Sequence, residues 1–304
     1  MPVSSAAGPW HSCQAIERIN RIQLRSDRHL LKGVFVASLL ATVSLLSAAG
    51  SAAAPTLPTL SLTVSSSTIT ASGTMQSGGT NVVTTASGKK EVTAVLFLLK
   101  PGSSVAEVEA QMKSKKGSKD PNATSQFGSI VFDAEATPGH PSEVQTNLVP
   151  GQYVALGGEG EGSLKVHSTF TVTAAKSPAT LPTPQATVRS IEFDFRGPTT
   201  LHDGELVRFE NEGYLVHMDI AFPVKSKSAA TQVAKALLTG KEKGLKKLVA
   251  GAPFSFAGPL SHGAYQQETI TAKPGWYVQA CFMETQEGEP HTRLGMERIF
   301  KITK

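Results

Sequence analysis

Residues whose side chains bind soft metal ions are concentrated near the C-terminus of this chain. Cys281, His291 and Met296 fall between two predicted strands, in the pattern C-x9-H-x4-M. A further histidine, His217, follows the turn-like sequence Asn211-Glu-Gly on an upstream predicted strand. Each of these residues alone is more typical of packing or hydrogen bonding than of a metal site. Their combination favours metal binding, because three of the four converge on one short loop.

The donor atoms of this set indicate which metal it would hold. A thiolate and a thioether favour Cu(I), and imidazoles suit both oxidation states of copper. A weakly bound methionine sulfur leaves a trigonal site that changes little when a single electron is transferred. Hydrolytic or multicopper chemistry has no comparable support, since the chain contains no G-x-S-x-G, no H-E-x-x-H and no H-x-H.

The composition favours a β-rich chain long enough for two domains. The 304 residues are 40% hydrophobic and only 17% charged, with 27 glycines and 18 prolines. Such a chain is too apolar to be disordered and too poor in charge to be a coiled coil. The formal net charge is +5, and most of it lies in the first 50 residues. Binding to nucleic acid is therefore not expected.

The N-terminal segment predicts export. Residues 33–48 are uncharged and mostly apolar, with a basic segment before them and the small residues AAGSAAA after them. This pattern is typical of a secretory signal peptide, which we place at residues 1–54. The alternative is an uncleaved anchor helix, because the apolar run can be extended to Ala54, close to the ~20 residues that span a bilayer. Either reading places the protein outside the cell or in the cell envelope.

Export changes what the two cysteines can do. Cleavage of the leader removes Cys13 and leaves Cys281 as the one thiol of the mature chain, so an intramolecular disulfide cannot form. A single thiol in an oxidising compartment is expected to be buried, paired between chains or bound to a metal.

The rest of the chain divides by composition and strand pattern. Residues 55–88 are rich in Ser, Thr and Gly and predict a connecting segment with marginal strands. Residues 89–174 predict a first β-sandwich, residues 175–186 a Pro/Ala linker, and residues 187–304 a second β-sandwich. Residues 228–249 predict a helical insert that Gly240 and Gly244 divide into two short helices.

Two features suggest that the second sandwich repeats the first. Pro-Gly-x-Tyr-Val occurs at residues 150–154 and again at residues 274–278, and the order of predicted elements recurs. Aligned on this motif, Gly157 stands where Cys281 would, and Val166 stands near the position of Met296. The first copy is therefore expected to lack the metal ligands and to act as a docking or spacer domain, with a binding surface of its own as the alternative.

The helical insert also carries several lysines. Their charge could steer an acidic redox partner or an anionic membrane surface, and the leader is a second candidate for membrane association. The simpler alternative is a solvated helix face.

Two segments resemble a known family. Asn211-Glu-Gly with His217, and Pro274-Gly-Trp-Tyr-Val-Gln-Ala-Cys281-Phe with Gly-Glu-Pro-His291 and Gly-Met296, are similar to the cupredoxins, the plastocyanin and azurin family of blue copper proteins. The resemblance is strongest to exported bacterial cupredoxin-like domains and covers about residues 187–304. It implies an all-β fold of two Greek-key β-sandwich domains with short helical inserts.

The resemblance also implies a ligand set and a function. His217, Cys281 and His291 would be the equatorial ligands, and Met296 the axial ligand, of one type 1 copper. The nine residues between Cys281 and His291 are more than small electron-transfer cupredoxins use and resemble the loop of copper nitrite reductases. Those enzymes place a histidine beside the cysteine where this chain has Ala280, so no enzymatic activity is expected.

Two functions from different classes remain open at this point. The first is an exported copper protein that passes single electrons to a redox partner protein or handles copper. The second is a non-catalytic module with a vestigial metal site, which binds a protein or polysaccharide of the cell envelope.

Overall fold

The computed structural model describes residues 56–114, 121–160 and 162–304. The predicted leader, with Cys13, lies outside the described residues. The strands of the first sandwich are β1 (Thr59–Val64), β2 (Ile69–Gly73), β3 (Gly78–Ala86), β4 (Val92–Leu99), β5 (Gly128–Ala136), β6 (Ser142–Leu148), β7 (Gly151–Glu159) and β8 (Val166–Val172). Helix α1 (Val105–Lys113) and a 3-10 turn (Pro121–Thr124) lie between β4 and β5.

The second sandwich follows the same order with short insertions. Its strands are β9 (Ala186–Ile191), β10 (Asp194–Arg196), β11 (Thr200–His202), β12 (Leu206–Asn211), β13 (His217–Val224), β14 (Phe254–Leu260), β15 (Tyr265–Thr269), β16 (Gly275–Ala280) and β17 (Glu297–Thr303). Helix α2 (Lys227–Thr239) and the 3-10 turns Leu245–Lys247 and His291–Leu294 complete it.

The strands form three sheets, and one sheet is shared by both sandwiches. The four-stranded sheet β5-β4-β7-β8 belongs to the first sandwich and the five-stranded sheet β11-β17-β16-β13-β14 to the second. The eight-stranded sheet β10-β9-β12-β15-β6-β3-β1-β2 runs through both, joined by the antiparallel pairing of β15 with β6. The non-consecutive neighbours give each half a Greek-key character. The predicted all-β, cupredoxin-like class is confirmed.

The strand pairings of the two sandwiches correspond one to one. β1 pairs antiparallel with β2 and parallel with β3, and β9 pairs antiparallel with β10 and parallel with β12. β7 lies between β4 and β8 as β16 lies between β13 and β17. Tyr153 and Tyr277 hold the same position in this repeat, and each hydroxyl contacts the carbonyl oxygen four residues earlier, Val149 at 3.0 Å and Lys273 at 2.6 Å. The chain thus contains two copies of one structural unit.

The first copy is larger than the sequence analysis proposes. Residues 55–88 are predicted to be a connecting segment with marginal strands, yet they form strands β1, β2 and β3 of this sandwich. Leu60, Leu62 and Val64 alternate along β1 and are completely buried, because the inward face of this strand covers one side of the first core. The predicted boundary at residue 89 therefore differs from the structure, in which this sandwich begins at β1.

The two sandwiches pack through a continuous apolar core. Phe97 and Ile130 of the first sandwich belong to the same buried cluster as Phe256 of the second. Beside this cluster, Ser261 Oγ accepts a hydrogen bond from the N–H of Ile130 at 2.9 Å. A buried carboxyl group, Asp133, also lies in this interface, where its main-chain N–H donates to Gln266 Oε1 at 3.2 Å.

Helix α2 covers the outer face of the sheet that carries the candidate metal ligands. Ala230, Val233 and Leu237 form its buried side, and its C-terminal end is closed by Gly240, whose φ of 65° suits glycine. The insert thus forms one α-helix and a 3-10 turn where two short helices are predicted. In the described part of the chain, neither helix has the length and apolar character needed to cross a membrane.

Candidate metal centre

His217 is the first residue of β13, and the loop before it is shaped to admit its ring. The side chain of Asn211 is buried and donates to the carbonyl oxygens of Leu215 and Leu260, both at 2.7 Å. Its Oδ1 accepts from the N–H of Gly213 at 2.9 Å. A Cβ at Gly213 would stand 2.8 Å from His217 Nε2, so this position is a close approach that only glycine allows. The Asn-Glu-Gly motif therefore builds the pocket of the imidazole.

The segment between Cys281 and His291 folds back on itself. The N–H of Thr285 donates to Glu289 O at 2.9 Å, and the N–H of His291 donates to Met283 O at 2.8 Å. These bonds close a small hairpin, so nine intervening residues still return His291 to Cys281. The long spacing is thus compatible with a compact site.

The donor atoms of three predicted ligands meet at one point. Cys281 Sγ lies 3.4 Å from His291 Nδ1 and 3.7 Å from His217 Nδ1, and the two Nδ1 atoms are 3.2 Å apart. A triangle with these sides has a centre about 2.0 Å from every corner, close to the metal–nitrogen and metal–sulfur lengths of about 2.0–2.3 Å. In the described residues this is the one group of histidine, cysteine and acidic side chains spaced to hold a metal ion.

Met296, the fourth residue of the predicted set, immediately precedes β17. Its N–H donates to His291 O at 3.0 Å, and its carbonyl oxygen accepts from the N–H of Cys281 at 3.1 Å. Gly295, with a φ of 101°, allows the chain to leave the 3-10 turn towards this strand. The methionine side chain is completely buried in the same apolar cluster as Cys281.

Burial sets the protonation of the three donors. It lowers the pKa of His217 to about 4, and it lowers the pKa of His291 to about 3 with a further contribution from neighbouring His217. Both imidazoles are therefore neutral at neutral pH, as metal ligands must be. Burial raises the pKa of the Cys281 thiol to about 12, so a bound metal has to displace the thiol proton.

Glu192 and Phe193, in the turn between β9 and β10, cover the two histidines and are called the roof below. Glu192 Oε1 accepts from the N–H of Leu215 at 3.1 Å and lies 3.9 Å from His217 Nε2. The ring of Phe193 packs edge-on against His291, with centroids 5.2 Å apart. Phe193 has a φ of 57°, a left-handed conformation uncommon outside glycine, asparagine and aspartate. The sequence VRSIEFDF of residues 188–195 is typical of one continuous strand and does not indicate this turn.

The first sandwich has other residues at the positions that correspond to the predicted ligands. The strand registers place Val92, Gly157 and Val166 at the positions of His217, Cys281 and Met296. None of these three side chains is a metal ligand.

These observations define the class of protein. A Greek-key sandwich whose buried cysteine and two histidines converge on one point, beside a buried methionine, is a cupredoxin-like domain with a site for one copper ion. The predicted cupredoxin-like fold is confirmed, and His217, Cys281 and His291 form a group that could bind one copper ion.

Comparison with known proteins finds only distant likenesses. No protein-family model matches the sequence, and no curated protein is significantly similar. Auracyanin A, a "blue" copper protein from Chloroflexus aurantiacus, is 21% identical with a TM-score of 0.24, over 38% of this chain and 96% of that chain. Auracyanin from Roseiflexus castenholzii is 19% identical with a TM-score of 0.25, over 39% and 95%. A copper-containing nitrite reductase from Thermus scotoductus SA-01 is 14% identical with a TM-score of 0.24, over 81% and 68%.

Proposed function

We propose that this chain is an exported single-copper protein that carries electrons one at a time and has no enzymatic activity of its own. The convergence of Cys281 Sγ, His217 Nδ1 and His291 Nδ1 on one point supports this function most directly. Bound copper supplies a one-electron couple, and the Met296 sulfur is the proposed weak fourth ligand. The leader predicted at residues 1–54 supports export.

The burial of the site favours a resident metal over one that is handed on. Cys281, His291 and Met296 are each 0% exposed, and Phe193 covers the edge of His291. A metal held by buried ligands under a roof exchanges slowly, whereas copper delivery requires ligands that a partner can reach. Phe193 is itself half-buried and connects His291 with the surface, which gives an electron a short route outwards.

Addition of Cu(II) to the full chain tests this function. We expect one copper per chain and an intense blue charge-transfer band from the thiolate, which Cys281→Ser abolishes. Cys13→Ser is the matched control and leaves the band unchanged. A protein that stays colourless and binds no copper at stoichiometric addition contradicts the proposal and favours a module with a vestigial site. Rapid loss of copper to a chelator would instead favour copper delivery.

A further inference from the structure

Three polar side chains form a hydrogen-bonded chain inside the second sandwich, next to the metal-binding group. Arg298 Nε donates to Gln279 Oε1 at 3.0 Å, and Gln279 Nε2 donates to Asp219 Oδ2. Asp219 and Gln279 are 2% and 1% exposed. Each of the three stands two residues along the chain from a proposed ligand, on β13, β16 and β17. This set is named the polar layer below.

The fold itself does not require the polar layer. In the first sandwich the strand registers place Ala94, Ala155 and Ser168 at the equivalent positions. The same ladder of strands therefore forms around small side chains. The polar layer occurs in the copy that has the ligands and is missing from the copy that lacks them.

A buried carboxylate linked to a half-buried guanidinium is unfavourable unless the two serve another purpose. Desolvation of such a pair often exceeds the gain from its attraction, and apolar replacements of a buried ion pair are frequently neutral or stabilising. Arg298 is held at the far end by the carbonyl oxygens of Phe195 and Gly197, at 3.3 and 3.2 Å. Its position is therefore fixed, and the glutamine between the two charges keeps them apart.

The two charges stand in a fixed order relative to the metal-binding group. Asp219 is the member close to Cys281, since it directly follows Met218, whose main-chain N–H donates to Cys281 Sγ at 3.4 Å. Arg298 reaches Asp219 only through Gln279. A negative charge near a metal favours its higher oxidation state and a positive charge favours its lower one, most strongly where solvent is excluded.

We propose that the polar layer is an outer shell that sets the reduction potential of the copper, with Asp219 favouring Cu(II) and Arg298 favouring Cu(I). This inference rests on the proposed function, since it requires bound copper. All three are positioning residues, because none of them is a proposed metal ligand.

Reduction potentials of the copper-loaded full chain test the inference. Asp219→Asn should raise the potential and Arg298→Gln should lower it, with the larger change for Asp219, while Arg298→Lys should stay close to the parent. Each tenfold change in the ratio of Cu(I) to Cu(II) affinity corresponds to 59 mV for a one-electron couple. The matched control is Arg189→Gln, since the Arg189 side chain is 43% exposed and pairs with Glu212; the potential of this variant should be unchanged.

A triple variant tests whether the polar layer is needed for the stability of the fold or acts only on the reduction potential of the copper. Asp219→Val, Gln279→Leu and Arg298→Met together replace the polar layer by apolar side chains of similar volume, and the metal-free protein should be at least as stable as the parent in urea. Large destabilisation of this variant would overturn the inference, as would single variants whose potentials are unchanged or move in the same direction. Failure of the parent to bind copper would overturn the proposed function itself.

Discussion

The side-chain oxygen of Asn122 accepts a hydrogen bond from the main-chain N–H of Val216 at 2.6 Å, across the boundary between the two sandwiches. Val216 immediately precedes His217, so the first sandwich holds the segment from which a proposed ligand extends. The first sandwich thus supports the metal centre although it contributes no ligand.

Asn122→Ala tests this support. The variant leaves the N–H of buried Val216 without its acceptor, and we expect a loss of about 1–3 kcal/mol in the free energy of unfolding. Copper affinity should fall as well, because the start of β13 is no longer fixed. Urea denaturation of the metal-free protein and Cu(II) titration measure the two effects. Gln126→Ala, an exposed residue of the same region, is the control, and equal losses in both variants would contradict the interpretation.

Gly213→Ala tests the close approach beside His217. The added methyl group would stand 2.8 Å from His217 Nε2 and must displace the imidazole, so we expect a weaker copper site and an altered visible spectrum. Gly275→Ala is the matched control, since its Cβ would meet no atom closer than 3.9 Å. An unchanged spectrum in both variants would contradict this expectation and show that the pocket accommodates the added methyl group.

Two substitutions of Phe193 distinguish the effect of its ring from the effect of its left-handed backbone conformation. Phe193→Gly and Phe193→Ala both remove the ring over His291, and we expect both to lose copper faster to a chelator than the parent does. The two variants differ in how readily residue 193 adopts the left-handed φ of 57°, which glycine adopts freely and alanine does not. The glycine variant should therefore be more stable than the alanine variant by about 1 kcal/mol. Parent-like copper loss in both would mean that the ring does not limit access.

Asp133 makes stability depend on pH. Burial raises its pKa to about 8 from an ordinary value of 3.8, so the folded protein holds this proton more tightly than the unfolded chain. The resulting stability is full below about pH 4 and is lost as the pH rises towards and through 8, by at most about 1.4 kcal/mol per unit.

Asp133→Asn should remove the part of this dependence that Asp133 contributes and leave the part from Glu268, whose pKa burial also raises to about 8. Relative to the parent, we expect the variant to gain stability at pH 8 and to gain little at pH 4, as measured by urea denaturation at both values. Glu143→Gln makes the same charge change at an exposed position and should not alter the slope. A parent whose stability does not decline over this range would refute the role of Asp133.

Much of the fold is predictable because its strands alternate or carry long apolar runs. The apolar and β-branched runs of residues 92–99 and 128–136 are typical of strands and form β4 and β5, and the repeated Pro-Gly-x-Tyr-Val marks the start of β7 and β16. Strand β6 cannot be recognised in this way, since its sequence SEVQTNL is largely polar and forms a strand only because both of its edges are paired. Propensity does not report such tertiary pairing.

The candidate site likewise contains residues that can be predicted from the sequence and residues that cannot. His217, Cys281 and His291 are predictable because their residue types and loop positions are unusual together, and the structure brings their donor atoms to one point. The roof residues Glu192 and Phe193 are not, because a charged and an aromatic residue in a strand-like run suggest nothing about a distant loop. The polar layer is also invisible in the sequence, since Gln and Arg two residues from a ligand are ordinary until their burial is known.

The shared eight-stranded sheet limits how this chain can be divided. If residues 187–304 were produced alone, β15 would lose its pairing with β6 and expose the main chain at Gln266 and Gln267. An unpaired strand edge is a template for another chain, so such a fragment is expected to associate through β15 or aggregate. The first sandwich therefore acts as a permanent cover for that edge, and the half of the repeat that holds the metal-binding group needs the other half beside it.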